Sequence, residues 1–164
     1  QAVPKGDRME TVIEKAVELG VYEIIPVEMK YCVVKLDAKK KAARLKRYQA
    51  IAESAAKQSK RSRIPVVHDF MTYRDAMAYA KECDLCLVPY ECAKGMEATK
   101  DALTKIRDAK TISIMIGPEG GFAKEEIDAV KDCMQVVSLG SRILRTDTAA
   151  ITTMSMVMLA TEMQ

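Results

Sequence analysis

Short apolar, β-branched runs alternate with helix-spaced segments along nearly all of the 164 residues, and this alternation most limits the fold. Arg8 to Leu19 places Met9, Val12, Ile13, Ala16 and Leu19 on one helical face, and Gly20 supplies the left-handed stop. A β-branched strand is expected over Val21 to Val27. An alanine-rich helix follows over Lys39 to Lys60, with Pro65 as its stop before a strand at Val66 and Val67. Further helices are expected over 72–81, 97–107, 124–133 and 146–163, and further strands over 84–89, 111–116 and 135–139. Strands separated by helices of this length pair in parallel through right-handed crossovers. The expected class is α/β, a parallel sheet flanked by helices in a single domain over 1–164, with Glu28 to Ala38 as the longest irregular stretch.

Two glycine-anchored loops, I-G-P-E-G-G-F at 116–122 and L-G-S-R-I-L-R-T-D-T-A at 139–149, each follow an apolar run and precede a helical pattern. In a parallel α/β sheet such loops open on one edge, where ligands bind, so a shared pocket is expected. Neither loop has the G-x-G-x-x-G spacing of a dinucleotide site or the Gly-Lys-Ser/Thr of a phosphate loop. Glu125 and Glu126 open the helix after the first loop and already satisfy the positive end of its dipole. A neutral or cationic small ligand suits such a pocket better than a phosphate.

Composition narrows the classes further. About half of the residues (49%) are hydrophobic, enough for an ordinary core. No apolar run approaches the roughly 20 residues of a membrane helix, so a soluble protein is expected. The five cysteines are an odd number in a chain that does not need disulfides, which fits a reduced, cytoplasmic setting. Cys83 and Cys86 form a lone C-x-x-C inside an apolar strand pattern and read as structural thiols, with no metal implied. His68, the single histidine, has no nucleophile motif beside it. Net charge is only +3, yet eleven Lys or Arg lie between Lys35 and Arg63 against Asp37 and Glu53. That stripe is either a solvated helix face or a contact for RNA or DNA phosphates.

K-G-D-R-M-E-T-V-I-E-K-A-V-E-L-G at 5–20, A-A-K-Q-S-K-R at 55–61 and the two glycine loops together resemble the ribosomal RNA small subunit methyltransferase E family. The resemblance covers essentially the whole chain, in the family's order. It implies methylation of uridine N3 in 16S ribosomal RNA, with S-adenosylmethionine as cofactor. It also implies a SPOUT-type α/β fold whose C-terminal segment forms a trefoil knot, and a homodimer with the knot at the interface. Family members carry a PUA-like RNA-binding domain ahead of this segment. With a start that lacks methionine, the chain is therefore read as a catalytic domain separated from that module. Position 141 is serine where the family often has proline.

Carried over by motif, the resemblance implies a cofactor pocket of Gly117, Pro118, Glu119 and Gly120 from the first loop. Leu139, Gly140, Ile143, Leu144, Arg145 and Thr148 come from the second, and Pro89, Tyr90 and Glu91 form a third wall. Arg145 is the candidate catalytic residue, holding a uracil oxygen as N3 loses its proton; the competing reading pairs it with Asp147 or Glu119 to hold the loop. Arg8, Lys57, Gln58 and Arg61 are the candidate RNA contacts. Two other classes remain: a non-catalytic RNA-binding or ribosome-assembly module, which would need the stripe without the loops, and another small-ligand α/β enzyme, which would need the loops without the stripe.

Overall fold

The computed structural model describes residues 1–163; Gln164, the last residue of the expected domain, lies outside the described residues. Six helices and seven strands alternate among the described residues, and every strand pairing is parallel.

The C-terminal half is built on β5 (Leu85–Pro89), which lies between β6 (Ile112–Ile114) and β7 (Gln135–Val137). All five β5 residues are buried, as expected of a central parallel strand covered on both faces. Their side chains alternate. Leu85 and Leu87 pack with Val137 against α4 (Glu97–Ile106) and α6 (Thr146–Glu162) through Ala102, Ile106 and Ala160. Cys86 and Val88 face the other way, with Ala76 and Ala80 of α3 (Tyr73–Ala80) and Ile127 and Val130 of α5 (Lys124–Val130). The Cys86 thiol donates to the Ala80 carbonyl at 2.9 Å, so it behaves as a structural thiol.

In the N-terminal half, α1 (Arg8–Glu18) buries Met9, Ile13, Ala16 and Val17 against Tyr48, Ala52, Ala55 and Ala56 of α2 (Ala38–Gln58). The single strand expected over Val21 to Val27 is instead two, β1 (Glu23–Ile24) and β2 (Val27–Glu28). Pro26 between them has no N–H to give to a ladder. β1 pairs with β3 (Val66–Val67) and β2 with β4 (Met71–Thr72), a strand too short to show any periodicity. Residues 1–3 join the halves: the Ala2 amide donates to Ile116 O at 2.9 Å, and Val3 N to Val27 O at 3.0 Å. The stop of α2 also differs from expectation. Lys60, at φ 57°, turns the chain, and Arg61 N reaches back to Ala56 O at 2.9 Å, well before Pro65.

Arg61 was expected at the RNA. Its guanidinium instead donates to Val17 O (3.1 Å), Val21 O (2.7 Å) and Gly20 O (3.4 Å), closing the C-terminal end of α1. That spends its donors on main-chain carbonyls at and just past the end of α1, where a cation also complements the helix dipole.

Glu126 holds the start of α5. It is only 6% exposed, and its carboxylate accepts from Ala123 N (2.8 Å) and Lys30 N (3.0 Å), while Tyr73 Oη donates to its carbonyl at 2.5 Å. The irregular 29–37 segment is thereby fastened to the first glycine loop. Glu126→Ala leaves two amides without acceptors and is expected to cost about 2–3 kcal/mol in chemical unfolding. Glu126→Gln, which keeps one acceptor oxygen, is expected to lose less.

Candidate functional site

The C-terminal ends of β5, β6 and β7 open onto one cavity of about 440 Å³, within the usual range for small-molecule sites. Its walls are Pro89 to Glu91 after β5, Ile116 to Phe122 after β6, and Leu139, Gly140 and Arg142 to Thr146 after β7, with Ala149 and Arg8 completing it. The two glycine loops thus share a pocket, but β5 separates their strands. Pro89 to Glu91 consequently stands between them.

Several polar contacts fix the loops. Thr146 is buried, and its hydroxyl donates to Gly117 O at 2.8 Å, tying the exit of the second loop to the entry of the first. Tyr90 N donates to Val137 O at 3.0 Å, extending the β5 to β7 ladder into the site. Behind the second loop, Thr99 Oγ1 donates to Ser138 O (2.7 Å) and accepts from Ser138 N (3.1 Å). These groups stiffen the walls before any ligand arrives.

The glycines are required for close approach. A Cβ at Gly117 would sit 2.8 Å from the Phe122 ring, and one at Gly120 would sit 2.9 Å from Tyr31 Cβ and 3.2 Å from its carbonyl. The first loop is therefore clamped between its own Phe122 and the 29–37 segment. Phe122 in turn meets Tyr90 edge to face, ring centroids 6.2 Å apart.

Charge is unevenly spent around the cavity. Glu119 accepts from Lys5 N (2.8 Å) and from the Arg8 guanidinium (2.7 Å). Burial works to raise its carboxyl, but those donors outweigh burial and hold it below the ordinary carboxylate range. Arg8 thus enters the cavity wall as the partner of Glu119. Arg145 is the N-cap residue of α6, and its side chain has no hydrogen bond or ion pair with the described residues. The loop-holding pairings with Asp147 or Glu119 do not form: Glu119 goes to Arg8, and Asp147 Oδ1 is buried without a partner among the described residues.

Of the cofactor residues read from the sequence, Pro89, Tyr90, Glu91, Gly117, Pro118, Glu119, Gly120, Leu139, Gly140, Ile143, Leu144 and Arg145 line the cavity. Thr148 does not. On α6 the residues facing the cavity are Thr146 and Ala149, three apart, and Thr148 falls on the exposed side. Sequence reasoning missed Ile116, Gly121, Phe122, Arg142, Thr146 and Ala149. Phe122 and Gly121 stood inside the quoted motif, and a threonine opening an apolar helix was a readable signal of a loop tie. Lys57 and Gln58 are exposed at the end of α2 and lie outside the cavity lining. The described residues hold no group of three or more His, Cys, Asp or Glu side chains arranged to bind a metal ion.

A fold of parallel α/β ladders with a ligand cavity at the strand ends is the setting in which the comparisons with known proteins fall. The family model for the RNA methyltransferase domain matches residues 1–158, and the chain belongs to that family. Among its relatives, the ribosomal RNA small subunit methyltransferase E of Bacillus subtilis (strain 168) is 34% identical over 165 residues, covering 98% of this chain and 64% of the relative. That of Mesomycoplasma hyopneumoniae (strain 232) is 40% identical over 153 residues, covering 92% and 63%. A solved structure of the same enzyme from Neisseria gonorrhoeae, bound to S-adenosylmethionine, superposes with a TM-score of 0.80 at 34% identity, covering 94% of this chain and 62% of that one. A Legionella pneumophila structure with bound cofactor SAM gives a TM-score of 0.89 at 34% identity, covering 98% and 64%. The chain thus spans somewhat less than two thirds of the length of these relatives.

Proposed function

We propose that this chain is the S-adenosylmethionine-binding catalytic domain of an enzyme that methylates uridine N3 in 16S ribosomal RNA of the small subunit. The observation that carries the proposal is the cavity formed jointly by the two glycine loops and Pro89 to Glu91, in a family whose solved relatives include S-adenosylmethionine complexes. Its residues fit that cofactor. Gly117, Gly120 and Gly140 leave main-chain donors and acceptors accessible for reading an adenine, while Leu139, Ile143 and Leu144 supply apolar cover.

When bound, the cofactor supplies an electrophilic methyl group. The chain's own contribution is alignment, exclusion of water and stabilisation of the uracil anion left when N3 loses its proton. Arg145, uncommitted at the cavity wall, supplies the donor for a uracil oxygen. Arg8 holds Glu119 and so keeps the first loop in place. Lys57 and Gln58 belong to an exposed basic surface with Lys60, suited to RNA phosphates. The substrate is held mainly by a PUA-like domain preceding residue 1, and the enzyme works in the cytoplasm.

The 139–145 segment is proposed to be the closing pass of a SPOUT trefoil knot, and the active form a homodimer. Support for the dimer comes from Ile143, 87% exposed beside the cavity, and from α6, which carries apolar residues on all sides and leaves Leu159 half exposed.

Gly120→Ala is expected to weaken S-adenosylmethionine binding about tenfold, because the added methyl must move Tyr31 or the loop; calorimetric titration reads this directly. The activity itself is tested with excess chain over unmodified small-subunit RNA, followed by nucleoside mass spectrometry. Methyl on uridine N3 is the expected result. A methyl on any other base overturns the substrate reading.

A further inference from the structure

Glu91 is the cavity's uncommitted carboxylate. Glu119 is taken by Arg8 and the Lys5 amide, whereas Glu91 has no hydrogen bond or ion pair with the described residues. The side chain is exposed at the rim of the cavity and lies against the first loop. Oε1 would lie 2.7 Å from a Cβ at Gly121, so it rests over the bare backbone of the first loop, where the φ of +73° favours glycine. On the same side of the cavity stand Tyr90, adjacent in sequence, and Phe122, adjacent to Gly121, with their rings edge to face. A carboxylate beside two aromatic rings attracts a soft, weakly hydrated cation, through direct charge and through the rings' quadrupoles. The other charges in the lining are the guanidiniums of Arg142 and Arg145, which belong to the loop after β7, and the Arg8 to Glu119 pair. The cavity lining therefore combines a carboxylate unpaired among the described residues, beside two aromatic rings, with cations carried by the loop after β7.

We infer that Glu91, backed by Tyr90 and Phe122, is the residue that makes this site prefer a sulfonium over the corresponding thioether. The inference rests on the proposed function, since it assumes S-adenosylmethionine as the ligand. S-adenosylmethionine and S-adenosylhomocysteine share the adenosine and the amino-acid tail, and differ in the methyl group and the positive charge it brings to sulfur. Glycine loops reading the adenine treat the two alike. A carboxylate beside the sulfur does not, and its preference disfavours the spent form and helps it leave after transfer.

The test is calorimetric titration of the chain and of Glu91→Gln with both ligands separately. Glutamine keeps the shape and removes the charge. S-adenosylmethionine affinity is expected to fall about tenfold, as for a partly solvated charge pair, while S-adenosylhomocysteine affinity changes less than about twofold. Unchanged S-adenosylhomocysteine binding also establishes that the variant is folded. An equal fall for both ligands would assign Glu91 to the shared ammonium group and overturn the inference. No change for either would overturn it as well. Absence of binding of both ligands to the unmodified, folded chain would instead overturn the proposed function.

Discussion

Arg145→Ala is expected to leave S-adenosylmethionine affinity within about threefold and to lower methyl transfer by about a hundredfold or more, the usual scale for removing one preorganised donor from a developing anion. The geometry separates the two effects. The Arg145 backbone carries the start of α6, where its carbonyl accepts from Ala149 N at 2.8 Å, and alanine keeps that bond. Its side chain bonds to none of the described residues, because Glu119 is occupied by Arg8 and the loop is fastened through Thr146 and Gly117. Deleting the guanidinium therefore removes a group with no structural employment. Arg145→Lys keeps the charge but loses the planar fork, and is expected to recover only part of the rate. Single-turnover transfer alongside ligand titration reads both quantities. Equal losses of binding and transfer would make Arg145 a loop-holding residue.

Arg61→Ala is expected to cost about 2–3 kcal/mol of stability, as much as Glu126→Ala, with little direct effect on the cavity. The side chain links the end of α2 to the end of α1 through Val17 O and Val21 O, two charge-assisted bonds at 3.1 and 2.7 Å. Such bonds contribute more than neutral ones, and their loss leaves carbonyls at a helix terminus to find water. Lys57→Ala, four residues earlier on an exposed face, is the control. It is expected to stay within about 0.5 kcal/mol in unfolding and to lower RNA affinity at low salt. A stability change at Lys57 matching that at Arg61 would contradict the division of this basic segment into a fold-holding and a solvent-facing part.

That division explains what the sequence could and could not convey. Residue type and spacing marked Arg61 as basic within a basic stripe, but its partners are main-chain carbonyls some 40 residues away, which no local pattern encodes. Helix and strand order was legible because amphipathic spacing and strand burial are local properties. The central β5 run and Met9, Val12, Ile13 and Ala16 of the α1 face stand where the pattern put them, while Val17, outside that pattern, is buried beside them and Leu19 caps the helix. The division of 21–27 into two strands was less visible, since it depends on which partner each half finds across the molecule. Pro26 was the available clue. At the site, the glycine loops and the residues after β5 were readable as motifs. The Arg8 to Glu119 pair and the tie from Thr146 to Gly117 required the chain to bring distant segments together, and Thr148 was misplaced because motif membership does not state which side of a helix a residue faces.

The measurement that tests the central claim most directly is calorimetric titration of the folded chain with S-adenosylmethionine, with its oligomeric mass determined in the same buffer. Saturable binding of about one ligand per chain, weakened by Gly120→Ala, is the predicted result. A folded chain that takes up no S-adenosylmethionine, or binds it unaffected by that substitution, would contradict the assignment of this cavity as the cofactor site.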